Sequence, residues 1–291
     1  MQDRYVADVG DFGKYGLLRC LAGITCGNEK PLKLGVIWYL TPSCHGNIGD
    51  GKHLGYLDSG EELQNLDKEL FDSLHDVRGK IATRGRDGNW ARRDEYMRIE
   101  KRSTVENPAL EMIEKGKLLD GATFFSNPLR KSRTKADAIR ERGGWWNDCS
   151  DNFKKLEYDL IFMDPDNGLR VKYSGDDVSL VSKDAEKPSI KHVYVEEINE
   201  VISDWRASLV LYHHLGRHGG DHDNQIRLIG GALKKVAPKG TTIRALRYRR
   251  GSSRAFFVLI REQHKTLQSR INGFQRSSWV EEEHFQPVCL T

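Results

Sequence analysis

Cysteine is scarce in this chain and never paired. Its 291 residues include five, Cys20, Cys26, Cys44, Cys149 and Cys289, an odd number with no CxxC spacing. A disulfide framework is therefore not expected, and a reduced cytoplasmic compartment is the simplest reading. The amino terminus, MQDRYVADVGDFGKY, has no apolar signal-peptide core. No apolar run approaches the ~20 residues of a membrane span, so no membrane association is expected. There is no internal repeat and no low-complexity tract. There is no GxSxG, and no cysteine sits in a nucleophile motif, so nucleophilic catalysis has little support. A dominant charge sign is missing as well: 46 bases against 42 acids leave a net charge of +4. That alone is too weak to demonstrate a nucleic-acid partner.

What is present is the composition of a globular chain at the polar end, with 38% hydrophobic and 30% charged residues. Bases gather in RGRDGNWARRDEYMRIEKR (84–102), RKSRTKADAIRER (130–142) and RALRYRRGSSR (244–254). Such clusters suit phosphate binding through counterion release, or are solvated helix faces. Short apolar runs at 33–40, 159–163 and 209–216 read as buried strands covered on both faces, as in a parallel sheet. Helical stripes lie at 61–77, 195–205 and 224–237. The segments 241–250 and 254–262, joined by a GSS turn, read as an antiparallel pair, and 265–274 as a closing helix. The expected fold is one α/β domain over 1–291. It has a mostly parallel Rossmann-like sheet, helices on both faces, a C-terminal antiparallel strand pair, and a charged insertion or lid around 80–150.

In such sheets ligands bind beyond the carboxyl ends of the strands. The stretch DLIFMDPDNGL (159–169) delivers Asp164, Pro165, Asp166 and Asn167 to one such end. Residues two apart on an extended segment point the same way, so both carboxylates are expected to share a site. Asn167-Gly168 also suits a turn with positive φ. A second constellation, YHHLGRHGGDHDNQ (212–225), follows another strand. Its readings are a mobile loop with Asp223 as a helix cap, a substrate-contacting loop, or a metal tract. In GDFGKYGLLR (10–19) three glycines in a helical pattern each cost about 1 kcal/mol relative to Ala, so close packing or ligand approach must compensate. The glycines of GNIGDGKH (46–53) suggest a mobile loop near a site but lack the ending of a phosphate-binding loop. Trp145-Trp146 read as core anchors, with base stacking as the alternative.

This order of elements resembles the class I S-adenosylmethionine-dependent methyltransferases. More narrowly it resembles the J-type 23S ribosomal RNA adenine-N6 methyltransferases. Asp11 and Lys14 in GDFGKY match the family's H-A-D-V-L-K-H helix, with Tyr15 in place of the last histidine. Asp164-Pro165-Asp166-Asn167 stands where the family has a D/N-P-P-Y/F motif after its fourth strand. The resemblance implies S-adenosylmethionine as cofactor, framed by Asp11, Lys14, His45, Gly46, Gly49, Asp50 and Gly51. It implies an amino group held by Asp164 and the Pro165 carbonyl, with Asp166 completing the catalytic motif. Tyr15, Asn167, Tyr212, His213, His214 and Arg217 would border a nucleic-acid substrate, RNA or DNA. The chain departs from the family in the spacing of the glycine loop and in the absent aromatic at 166–167. Tyr5, Tyr15 and Tyr212 are candidate substitutes for that stacking platform.

Two other readings stay open. In a metal-dependent nuclease, Asp164 and Asp166 with Glu196 or Glu197 would hold Mg²⁺. A superficial PD…(D/E)xK nuclease pattern at 165–172 fails, because Arg170 stands where an acid is needed. The third reading is a catalytically inactive, methyltransferase-like nucleic-acid-binding module.

Overall fold

The computed structural model describes residues 2–25, 30–41, 53–58, 60–93, 108–175, 177–216 and 221–290. Seven strands form the central sheet: β1 (Leu34–Trp38), β2 (Thr123–Phe125), β3 (Leu160–Asp164), β4 (Ser208–His214), β5 (Thr242–Tyr248), β6 (Arg254–Ile260) and β7 (Phe285–Val288). Their spatial order is β7-β5-β6-β4-β3-β1-β2. Pairing is parallel from β2 through β1 and β3 to β4. It is antiparallel where β6 lies between β4 and β5, and where β7 closes the edge on β5. The expected α/β architecture is thus present, with β7 as an additional edge strand that its four residues, broken by Pro287, did not announce.

The strands are apolar without alternation because both faces are covered. Val36, Trp38, Phe162, Val210, Phe256 and Val258 join one core cluster. Ile37, Ile161, Met163, Leu211, Phe257 and Leu259 join the other. Burying a side chain of this size removes roughly 1.5–3 kcal/mol of exposed apolar surface, so register is pinned on both sides.

Helices α1 (Val9–Ala22), α2 (Lys68–Ile81), α3 (Lys135–Phe153), α4 (His222–Val236) and α5 (Lys265–Phe274) complete the layers. Each of the first four starts at an acid or hydroxyl that accepts a backbone N–H: Asp8, Asp67, Thr134 and Asp221. Asp67 explains why 61–77 is not one helix. Its backbone is extended (φ −159°, ψ 92°), its carboxylate caps Leu70, and it accepts Arg19 Nε at 2.7 Å. The chain therefore breaks into Glu61–Leu66 and α2. The cap of α4 is Asp221 rather than Asp223, which instead pairs with Arg247. The 195–205 segment begins as helix Val195–Asn199 and widens into a π turn over Glu200–Asp204. There Glu200 accepts the indole N–H groups of Trp146 and Trp205. Trp145 and Trp146 are buried core anchors.

The span 80–150 is more integral than an insertion. Its described part contains the hairpin 82–84/90–92, the helix Pro108–Lys115, the edge strand β2 and the 19-residue helix α3. A buried bidentate pair fixes α3 in place: Arg142 Nε and Nη2 bind Glu197 at 2.7 and 2.8 Å. No helix among the described residues is long and apolar enough to cross a membrane.

The glycines of α1 are explained by close packing. A Cβ on Gly13 would fall 2.3 Å from the Tyr248 ring, and one on Gly16 would fall 2.4 Å from the Trp279 ring. Gly144, in α3, has nothing within 4 Å of such a Cβ. The two helices therefore predict opposite signs. Gly13→Ala should destabilise by about 1–3 kcal/mol through overpacking. Gly144→Ala should stabilise by up to about 1 kcal/mol. Urea unfolding measures both, and stabilisation by the two alike would contradict the packing of α1.

Candidate functional site

β3 runs parallel to β1 and ends with Asp164 beside Trp38. Pro165 has no N–H to continue a ladder, and Gly168 turns the chain with φ +96°. Here Asp164, Pro165, Asp166 and Asn167 line a cavity of about 300 Å³. Helix α1 brings Asp11 and Lys14 to it, and β4 brings Tyr212 and His214.

Lys14 is the centre of the arrangement. Its Nζ lies 2.6 Å from Asp11 Oδ1 and 2.8 Å from Asp164 Oδ2, with all three side chains buried. It also lies over the rings of Tyr15 and Trp38, at 5.1 and 5.3 Å. Burial works against the Lys14 charge, but Asp11 and Asp164 outweigh it and hold the ammonium protonated beyond its ordinary range. Burial pushes the Asp11 carboxyl up to about 6; Lys14 pulls it back, and Asp8 pushes it further up.

Asp166 faces the same cavity but has different partners. Its Oδ2 accepts Thr41 Oγ1 at 2.8 Å and Gln2 Nε2 at 2.5 Å, and Lys191 Nζ lies 3.7 Å away. Burial opposes ionisation, yet the hydrogen bonds from Gln2 and Thr41 help keep the Asp166 carboxyl below the usual range. The two carboxylates share a site, as their spacing implies, without forming a cation cage. Glu197 is committed to Arg142 and to the Tyr39 hydroxyl. Glu196 accepts the Lys183 amide. Among the described residues, Glu62, Glu282 and His284 are the acid–imidazole group whose ligand atoms converge, and they lie outside this cavity. The acids proposed for Mg²⁺ therefore do not fit a shared ion.

Two sequence candidates are corrected. Tyr15 is buried in the core, edge-on to Trp38, and does not line the cavity. His213 is buried with Nδ1 accepting the Leu169 amide at 3.1 Å, which fixes a neutral ring. Burial pushes its pKa down to about 3, so it serves the turn rather than a substrate. His45, Gly46, Gly49, Asp50, Gly51 and Arg217 lie outside the described residues. The flanks of the glycine segment do reach this cavity: His53 lines it, and Thr41 binds Asp166.

The sequence reading missed Asp8, Lys191, Ser252 and Arg254, all of which line the cavity. Arg254 begins β6 opposite His214 and Tyr248. Ser252 holds it through its carbonyl at 3.1 Å and its hydroxyl at 2.6 Å, and its guanidinium lies 6.0 Å from the Tyr212 ring. A Cβ on Gly10 would fall 1.3 Å from Arg254 Nη1, so that glycine makes room for the guanidinium. In sequence Arg254 looks like one more base in a basic cluster.

No protein-family model and no curated protein matches the chain. Among solved structures it is similar to protein LPL1258 from Legionella pneumophila, of the family DUF519. That match has 11% identity and a TM-score of 0.36, covering 97% of this chain and 95% of that one. No functional argument rests on so loose a likeness.

The raised Asp11 pKa has a definite thermodynamic sign. The folded state binds this proton more tightly than the unfolded state, whose value is near 3.8. Asp11 thus costs stability above pH 6, and the cost is relieved as pH falls from about 6 towards 3.8. Between pH 7.5 and pH 5 the wild type should gain roughly 1 kcal/mol that Asp11→Asn does not gain. Urea unfolding of both proteins at both pH values measures this. Identical pH dependence would remove Asp11 from the buried, proton-sharing position described here.

Proposed function

We propose that this chain is an S-adenosylmethionine-dependent methyltransferase acting on an exocyclic amino nitrogen of a nucleic-acid base, adenine N6 being the target its resemblance implies. One observation carries the reading: Asp164, followed by Pro165, ends a central parallel strand inside a cavity that α1 covers through Lys14. An amino group has two hydrogens to donate. A carboxylate and a backbone carbonyl at the strand end accept both and leave the nitrogen lone pair for attack.

The cavity's donor set fits the cofactor's reacting end. Asp8, Asp11, Asp164 and Asp166 line it together with Lys14, Lys191 and Arg254, and the four acids supply acceptors for a sulfonium and an ammonium group. When bound, S-adenosylmethionine supplies an electrophilic methyl group. Asp8 and Asp11 are the described residues that would face its cationic end. Tyr5 and Tyr212 line the cavity and offer ring faces in place of the missing aromatic. Stacking of a base on such a face contributes about 1–3 kcal/mol.

Methylation of an amino nitrogen releases a proton. Asp164 is placed to accept it, and the Lys14 ammonium beside it orients its carboxylate. Asp164→Asn keeps the shape but loses the charge and one acceptor. It should lower methyl transfer from labelled S-adenosylmethionine into single-stranded RNA or DNA by about 100-fold or more, with nucleic-acid affinity nearly unchanged. Retained transfer would refute the role given to Asp164.

A further inference from the structure

A second, larger cavity of about 750 Å³ lies beside the first. The two share a wall: Lys191 lines both, while Gln2 and Thr41 line the larger one and hold Asp166 in the smaller. The larger cavity has more bases than acids on its rim. Arg130, Lys131, Lys187 and Lys191 stand on its rim against Glu141 and Asp148. Its apolar wall is built from Pro128, Leu129, Trp145 and Ile190.

Several arginines elsewhere pair with local acids: Arg140 with Asp137, Arg247 with Asp223, Arg249 with Glu283 and Arg250 with Glu62. On this rim Lys191 faces Asp166 and Lys187 donates to the Arg133 carbonyl, while Arg130 and Lys131 are exposed towards an external anion.

We propose that this cavity binds a phosphorylated nucleoside, with phosphate on the Arg130/Lys131/Lys187/Lys191 rim and the base on the apolar wall. A cationic rim disfavours a sulfonium and favours phosphate. A volume in the range of small-molecule sites accommodates a mononucleotide. The source is either a free nucleotide or the nucleotide adjoining a base held in the smaller cavity; the strand form rests on the reading of the preceding section.

The test is calorimetric titration at low salt with adenosine 5′-monophosphate, adenosine and S-adenosylmethionine, on wild type and on the double variant Lys131→Ala, Lys187→Ala. These exposed lysines lie outside the core, so the variant should fold. The monophosphate should bind at least about tenfold more tightly than adenosine, and the variant should lose about tenfold of that affinity. Equal binding of the two ligands, no binding of the monophosphate, or an unaffected variant would overturn the proposal. So would competition between S-adenosylmethionine and the monophosphate, which would give the cavity to the cofactor and leave methyl transfer standing. Monophosphate binding without any S-adenosylmethionine binding would uphold this site and refute the methyltransferase. Displacement of the monophosphate by a short single-stranded oligonucleotide assigns the cavity to a strand, and failure to displace it assigns it to a free nucleotide; both uphold the shared chemistry.

Discussion

A buried ammonium between two buried carboxylates is the constraint on which the site depends. Removing such charges from water costs several kcal/mol per ion unless partners and geometry compensate. Lys14 satisfies Asp11 and Asp164 together, leaving one carboxylate charge in excess. Burial, reinforced by Asp8 and Asp164, raises the Asp11 pKa. The bridge also dictates how α1 must dock. Lys14 reaches the end of β3 because the helix lies close against Arg254, Tyr248 and Trp279, and that approach requires glycine at 10, 13 and 16. Three residues that would weaken an isolated helix thus allow an ion pair between chain positions 150 residues apart.

The two cavities of this region differ in lining. The smaller holds four aspartates with Lys14, Lys191, Arg254 and two tyrosines, while the larger has a cationic rim and an apolar side. Asp166, held by Gln2, Thr41 and Lys191, stands at the partition. This gives the extra acid of the DPDN motif a structural task that sequence alone left undecided between a lost aromatic and a gained metal ligand. The partners it holds are polar and cationic side chains, and no third carboxylate converges on it among the described residues. An aspartate-lined pocket next to one with a cationic rim suits a ligand with a cationic reacting partner at one end and phosphate at the other, which is the charge pattern proposed here.

Much of the fold was legible because burial on both faces writes continuous apolar runs, and β1, β3, β4 and β6 are such runs. The strand end at Asp164 was legible too, since an acid, a proline and a glycine together stop a buried strand. Features set by distant partners were not. The break at Asp67 depends on Arg19, whose position no local pattern reveals. Tyr15 shares the helix of Lys14 but points into the core, and His213 sits one residue from the cavity-lining Tyr212 and His214 because alternate residues of β4 face opposite sides. Arg254 was hidden in a basic cluster until the hairpin register carried it to the site. β2 was lost inside a charged stretch because an edge strand of three residues leaves almost no periodic signal.

The central claim is that the aspartate-lined cavity under α1 receives the cationic end of S-adenosylmethionine. Calorimetric titration of the purified protein with S-adenosylhomocysteine and S-adenosylmethionine, first metal-free and then with Mg²⁺, tests it most directly. The account predicts micromolar binding of both without metal, with the sulfonium form the tighter of the two. No binding of either, with heat from Mg²⁺ alone, would contradict it and return the two aspartates to metal chemistry.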